Sequence, residues 1–269
     1  MPVANGSSNK AKIARRVIEV LEYFDDNHRE ATVMDIVRRY NRPQSSTSEL
    51  LSSLVDLGLL YKDPYSRSYS LTSRAALLGA TGQTGIVRDG RLIRLIDRLV
   101  AQTGLSVAVF GMVGLNAQII NWRTGARGVN AATRNIFGGM LEPLAYSAAG
   151  QLLLSTIAQP RCDGVVRRLI AEADDDRKFS FGEMSSRLQQ CRDSGEAQGA
   201  VGFGSPAECV VALLPDDTNS HPLAIGFVYS AEHRVHAEAL LECLREGIRH
   251  CLVDAAPEPG QVEALPNAA

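Results

Sequence analysis

The chain has 269 residues, of which 45% are hydrophobic and 22% charged, with a formal net charge of -2; this excludes a disordered or fibrous protein and leaves room for two small globular domains. No run of about 18 apolar residues occurs and the opening MPVANGSSNKAK lacks the apolar core of a signal peptide, so no membrane partner and a cytoplasmic location are expected. Cys162, Cys191, Cys209, Cys243 and Cys251 are odd in number and contain no C-x-x-C pair, which speaks against a disulfide framework or a thiolate zinc site and for buried, reduced thiols.

Charge is unevenly spread: residues 1–78 hold 11 Lys and Arg against 9 Asp and Glu, the remainder 17 against 21. Residues 1–9 read as a disordered tail. Lys10, Lys12, Arg15 and Arg16, with no carboxylate before Glu19, then form a basic arm suited to phosphates. KAKIARRVIEVLEYFDDN places Ile13, Val17, Val20, Leu21 and Phe24 at helical spacing on one face. Thr32-Val-Met-Asp35 reads as a capping box opening a short helix, with Ile36, Val37 and Tyr40 inward; Asn41, Arg42 and Pro43 end it, because proline disfavours helical geometry in the residue before it.

A third helix follows in SSTSELLSSLVDLG, with Leu50, Leu51, Leu54 and Leu57 as its apolar stripe and Gly58 as its stop. GLLYKDPYSRSYSL reads as two strands, Leu59 to Lys62 and Ser68 to Leu71, joined by a turn on Asp63, Pro64 and Ser66. Three helices and a hairpin with a short helix-helix turn give a winged helix-turn-helix over residues 10–71. The small polar first turn of the third helix, Gln44, Ser45, Ser46, Thr47 and Ser48, suits phosphates and base edges in a major groove better than packing. Ser45 or Ser46 can also cap the helix, Ser46 with Glu49 completing a Ser-x-x-Glu box.

RRVIEVLEYF, MDIVRRYNRPQSSTSELLSSLVDLGLL and KDPYSRSYSLTSRAALLGA resemble the DNA-binding domain of the isocitrate lyase regulator (IclR) family of bacterial transcription factors, over residues 12 to 80. The resemblance implies that Gln44, Ser45, Ser46 and Ser48 enter the major groove while Arg67 in the wing lies along the backbone. Gln44 stands where that family usually has Lys, and Glu49 where it often has Arg, which weakens the salt-dependent part of binding. Arg38, Arg39, Arg42 and the basic arm with Arg15 and Arg16 are the candidate replacements.

Next comes GATGQTG, Gly79 to Gly85, whose spacing suggests a dinucleotide loop. Such a loop needs an apolar strand before it and an acidic residue about 20 positions on; SRAALL is a helix former continuing the wing, and the next strand, SVAVFG, ends in glycine. Residues 72–85 therefore read as a linker helix and a glycine hinge. Residues 86–254 alternate helices and apolar strands: a helix with Leu92, Leu95, Ile96, Leu99 and Val100 as its stripe, strands SVAVFG and AQIINW, helices SAAGQLLLS, CDGVVRRLIAEA and SFGEMSSRLQQCRDSG, strands QGAVGFG, ECVVALLP and PLAIGFVYS, and a closing helix from Val235 to Val253. Gly202-Phe-Gly204 is a turn between strands. The class is α+β, an antiparallel sheet with flanking helices, and residues 255–269 read as a disordered tail.

Here QTGLSVAVF, PLAYSAAGQLLLS, ECVVALLP and PLAIGFVYS resemble the GAF-like effector-binding domain of the same family. The resemblance implies an effector pocket between the first strands, the helix starting at Ser147 and the last two strands, with Val107, Val109, Ser147, Cys209, Val211, Gly226 and Val228 as candidates. Ala145 replaces a common His, Gln151 a common Lys, and Gly226 and Val228 two serines; an apolar or aromatic effector follows, because a buried carboxylate needs donors. His233 and His236 lack a third ligand, Asp174, Asp175 and Asp176 read as a solvated turn, and no catalytic motif is present, so neither enzyme activity nor a metal or cofactor is expected. The expected partners are an operator in double-stranded DNA, a small-molecule effector and a second copy of the chain, as a homodimer or dimer of dimers. The competing reading is a sensor or interaction module whose head no longer reads DNA.

Overall fold

The structure, a computed structural model, describes residues 9–25, 28–78, 85–127, 132–215, 222–230 and 235–254. It divides into two units, Met1–Gln83 and Thr84–Ala269. The expected tails, except Asn9, the glycine stretch 79–84 and His233 lie outside the described residues.

The first unit contains α1 (Asn9–Tyr23), α2 (Val33–Tyr40), α3 (Gln44–Asp56), the hairpin β1 (Leu60–Lys62) and β2 (Tyr69–Leu71), and α4 (Ser73–Leu77). Thr32 caps α2 as its sequence predicts. The Asp35 backbone N–H donates to Thr32 Oγ1 at 3.4 Å, and Asp35 Oδ2 accepts from the Thr32 N–H at 2.8 Å. A reciprocal cap satisfies donors that the helix itself leaves orphaned. Asn41 ends α2 in the left-handed region, φ 49° and ψ 54°. The box expected at the start of α3 does not form: Pro43 is the N-cap and supplies no side-chain cap. Ser46 and Thr47 instead turn their hydroxyls back to donate to the Pro43 carbonyl at 3.2 and 2.9 Å. Gly58, with φ 70°, terminates the third helix as expected.

Val20, Ala31, Ile36, Leu51, Leu54, Leu59, Leu60 and Tyr69 form the core of this unit. Ile13 and Leu57, expected inward, are 55% and 60% exposed. Ile13 sits two turns before Val20, past the end of the core; Leu57 follows the last helical residue, about 80° or more around the helix from Thr47 and Leu51 at about 100° per residue. Ala31 adds a short third strand to the wing, exchanging backbone hydrogen bonds of 2.9 and 2.8 Å with Tyr69.

The second unit contains α5 (Gly85–Arg88), α6 (Arg91–Thr103), β3 (Ser106–Val113), β4 (Asn116–Arg123), β5 (Leu141–Pro143), α7 (Ala148–Ser155), α8 (Arg161–Glu172), α9 (Phe181–Ser194), β6 (Glu196–Gly202), β7 (Ser205–Leu213), β8 (Leu223–Ser230) and α10 (Ala237–Ile248). One six-stranded sheet in the order β5-β4-β3-β8-β7-β6 is antiparallel throughout. The last part of the expected closing helix, Arg249–Val253, is a π-helical turn. Side chains of successive strand residues go to opposite faces, and two cores result. Ala108, Phe110, Cys209, Val211, Ala224 and Val228 pack with α7, α8 and α9 on one face. Val107, Val109, Val210, Ile225 and Phe227 pack with α6 and α10 on the other. Leu92, Leu95, Ile96 and Leu99 are buried as expected, and Gly202-Phe203-Gly204 joins β6 to β7. No helix among the described residues is long and apolar enough to cross a membrane.

Thr32→Ala should lower the stability of the first unit by about 1 kcal/mol. Hydrogen bonds from the Thr32 backbone and hydroxyl hold the Asp35 carboxyl below its ordinary value of 3.8. The cap is therefore at full strength above that value and is lost as pH falls below it, so the wild-type advantage in hydrogen-exchange protection of the α2 amides should shrink at acidic pH.

Candidate nucleic-acid interface

α2, the turn Asn41-Arg42-Pro43 and α3 make the helix-turn-helix. Thr47, Leu51 and Leu54, at positions i, i+4 and i+7, are the buried stripe of α3. That stripe sets what the helix shows. Gln44, Ser45 and Glu49 are exposed, Ser46 and Ser48 half-buried. Thr47 departs from its expected role: it is 1% exposed and its hydroxyl is taken by the Pro43 carbonyl, so it anchors the helix and is not presented to DNA.

Among the cations, Arg15, Arg38, Arg39 and Arg67 are exposed, while Arg16 is half-buried and donates through Nη2 to Ser46 Oγ at 3.2 Å. Arg42, expected to be available to phosphate, is instead drawn to α1: its Nη2 lies 3.1 and 3.2 Å from the two Glu19 carboxylate oxygens. The Tyr40 hydroxyl donates to the Glu19 carbonyl at 2.6 Å and fixes the same junction. A carboxylate one helix away from the turn carries no local sequence signal, which is why Glu19 was not foreseen.

In the wing, Asp63 Oδ1 accepts from the backbone N–H groups of Tyr65 and Ser66 at 2.7 and 2.9 Å. Those bonds, Ser66 first, hold the Asp63 carboxyl below its ordinary value. Arg67 follows in the left-handed region with φ 58°. The turn puts Tyr65 at the tip, 95% exposed. Sequence reasoning passed over this tyrosine, although the Asp-Pro-x-Ser turn around it was the available signal.

In the second unit the expected effector residues split between the two faces of the sheet. Cys209, Val211 and Val228 lie in the core under α7, and Gly226, paired with Ala108 and Val211, shares their face. Val107 and Val109 point into the opposite core with α6 and α10, apart from the other candidates, as the two-residue strand period requires once Ala108 and Phe110 face α7. Ser147 caps α7, its Oγ accepting from the Gly150 N–H at 3.0 Å. Gln151 donates to the Ala145 carbonyl at 2.8 Å. A Cβ on Gly226 would lie 2.3 Å from the Val210 carbonyl oxygen and 2.4 Å from Val211 Cγ1, so only glycine fits there.

At one end of this layer Glu142 accepts from Arg177 Nη2 at 2.7 Å and from the Phe203 N–H at 3.2 Å. The Arg177 guanidinium stacks over Tyr146 at 3.8 Å, and Tyr146 meets the edge of Phe179. The exposed turn at Asp174, Asp175 and Asp176 thus leads directly into an anchored arginine, which the acidic run concealed.

Cys209 is fully buried, and burial pushes its thiol up to about 12. Raised this far, the thiol stays protonated through the neutral range. Mass spectrometry after alkylation at pH 8 should find Cys209 unmodified in the native protein and modified in denaturant; native modification would mean that this layer opens. Gly226→Ala should cost about 1–3 kcal/mol through overpacking, read as a lower urea midpoint for the second unit.

Residues 14–64 match the IclR helix-turn-helix domain. In structure, the chain is similar to the IclR transcriptional regulator of Alicyclobacillus acidocaldarius, with a TM-score of 0.57 and 18% identity over 92% of this chain and 97% of that one. The IclR of Thermotoga maritima gives 0.57 and 15% over 89% and 97%. An IclR homologue from Microbacterium hydrocarbonoxydans, complexed with 4-hydroxybenzoate, gives 0.56 and 17% over 90% and 98%. No curated protein matches the sequence significantly.

Proposed function

We propose that this chain, with an IclR helix-turn-helix domain in its first unit and the fold of IclR-family transcriptional regulators, binds an operator as a dimer and responds to a small apolar or aromatic effector. The observation that carries the reading is the exposed polar first turn of α3. Gln44 and Ser45 stand free on a helix held from behind by Leu51 and Leu54. An amide and short hydroxyls in that position reach base edges, while exposed Arg38, Arg39 and Arg67 reach phosphates. Dimerisation follows from the geometry of the target: two recognition helices meet half-sites one turn of DNA, roughly 34–36 Å, or a multiple of it apart. Effector binding acts by biasing the spacing of the two heads. Repression or activation then depends on where the operator lies.

For the effector, the layer under α7 supplies Ala145, Gly226 and Val228 where donors would be needed, and its Gln151 amide is engaged by backbone. A small dicarboxylate would be left without partners. The Microbacterium hydrocarbonoxydans homologue holds 4-hydroxybenzoate, which supports an aromatic ring as ligand for this fold; a carboxylate on such a ring would need donors other than positions 145, 226 and 228 here.

Selection of genomic fragments by the purified protein should recover a roughly palindromic site whose affinity falls with salt. Gln44→Ala should then weaken binding to that site by about 1–3 kcal/mol and relax preference at one base position. Absence of enrichment at low salt would sink the operator reading. Glu49→Arg separates it from a head that has lost DNA recognition: added to a reading head it changes the affinity or specificity of an existing interaction, whereas added to a silent one it creates only weak, sequence-independent binding.

A further inference from the structure

We propose that Glu19 is a specificity-determining residue of the head, pairing the part-exposed Arg42 charge against α1 and so keeping sequence-independent DNA binding low; this rests on the DNA-binding reading above. Arg42 occupies the turn immediately before the recognition helix, where a cation would face phosphate as α3 enters a groove. Its Nη2 is instead shared between both Glu19 oxygens, at 3.1 and 3.2 Å. Its Nε is buried with no hydrogen-bond partner among the described residues, at a small cavity lined among others by Arg16, Tyr40 and Thr47. The carboxylate dictates the pose, and the Tyr40 hydroxyl on the Glu19 carbonyl keeps that stretch of α1 in place to dictate it.

The same helix face sets the recognition hydroxyl. Arg16, one turn before Glu19, donates to Ser46 Oγ, so α1 both orients a reading group and withholds a phosphate-binding one. With Gln44 and Glu49 also lacking positive charge, the head is built to gain little affinity from the backbone of DNA and to depend on what α3 reads.

The test follows binding of the full chain to a duplex of scrambled sequence and to the selected operator across a salt series, for wild type, Glu19→Gln, Arg42→Ala and the double variant. Thermal melts establish that each is folded. If Glu19 restrains Arg42, Glu19→Gln steepens the slope of log K against log salt by about 0.9, one additional phosphate contact. It also tightens binding to the scrambled duplex several-fold while reducing the ratio of operator to scrambled affinity. Arg42→Ala then leaves the wild-type slope unchanged and removes the whole gain in the double variant. A folded Glu19→Gln with the wild-type slope overturns the inference, as does the same steepening in the Arg42→Ala background. A slope that falls by about 0.9 on Arg42→Ala alone overturns it independently, because Arg42 would already be on phosphate. Failure of the operator reading looks different. Binding by Glu19→Gln but not by wild type supports the restraint and rejects the operator, and no binding by either rejects both.

Discussion

Burial of a single stripe of α3 governs what the first unit can offer to DNA. Thr47, Leu51 and Leu54 lie within 60° of one another at about 100° per residue, so fixing them in the core turns Ser45, Glu49 and Ser52 outward together. Thr47 is the polar member of that stripe, and a buried hydroxyl without a partner would cost about 1–3 kcal/mol. The Pro43 carbonyl removes the cost. It accepts the Thr47 hydroxyl at 2.9 Å and the Thr47 N–H at 3.1 Å, the latter closing the first turn of the helix. Pro43 has no N–H to satisfy and a fixed φ, here -61°. One residue thus ends the turn from α2, starts α3 and satisfies the buried hydroxyl that keys α3 into the core.

The second unit obeys the analogous rule for strands. Ala108, Ala224 and Gly226 keep the face under α7 small, and α7 itself comes close to β6, where a Cβ on Gly199 would lie 3.9 Å from that of Ala148. Small side chains there leave little polar inventory. Ser147 and Gln151 use their side chains on α7's own backbone and on the strand-to-helix connection. A ligand admitted to this layer meets mostly carbon, and its affinity must come from apolar area, at about 25 cal/mol per Å². The opposite face, packed by α6 and α10 around Val107, Val109, Ile225 and Phe227, is a plain sheet core.

Much of this was legible because it is local. The Thr32 cap, the Gly58 stop, the Asp63 turn and the α6 stripe each depend on residues within a few positions, and each stands where the spacing puts it. What escaped depends on partners far along the chain. The strand that Ala31 adds to Tyr69 spans 38 positions, and the Glu19–Arg42 pair spans 23. The face taken by Val107 and Val109 was hidden for a different reason: a run buried on both faces carries no alternation, so SVAVFG does not reveal which members face α7. Ser46 and Glu49 have a valid capping-box pattern, but the pattern assumes an N-cap at Ser46, and Pro43 starts the helix three residues earlier.

The energetics of the Glu19–Arg42 pair indicate that its role lies in recognition more than in stability. Its side chains are 23% and 39% exposed, and pairs so open to water typically contribute about 0–1 kcal/mol. A pairing of that size adds little to folding, yet it is enough to bias which way a single charge beside the recognition helix points, and that direction changes how strongly phosphate attracts the head. The pair is best understood as a constraint on where positive charge appears, in a unit whose cations exceed its anions by only 11 to 9 over residues 1–78.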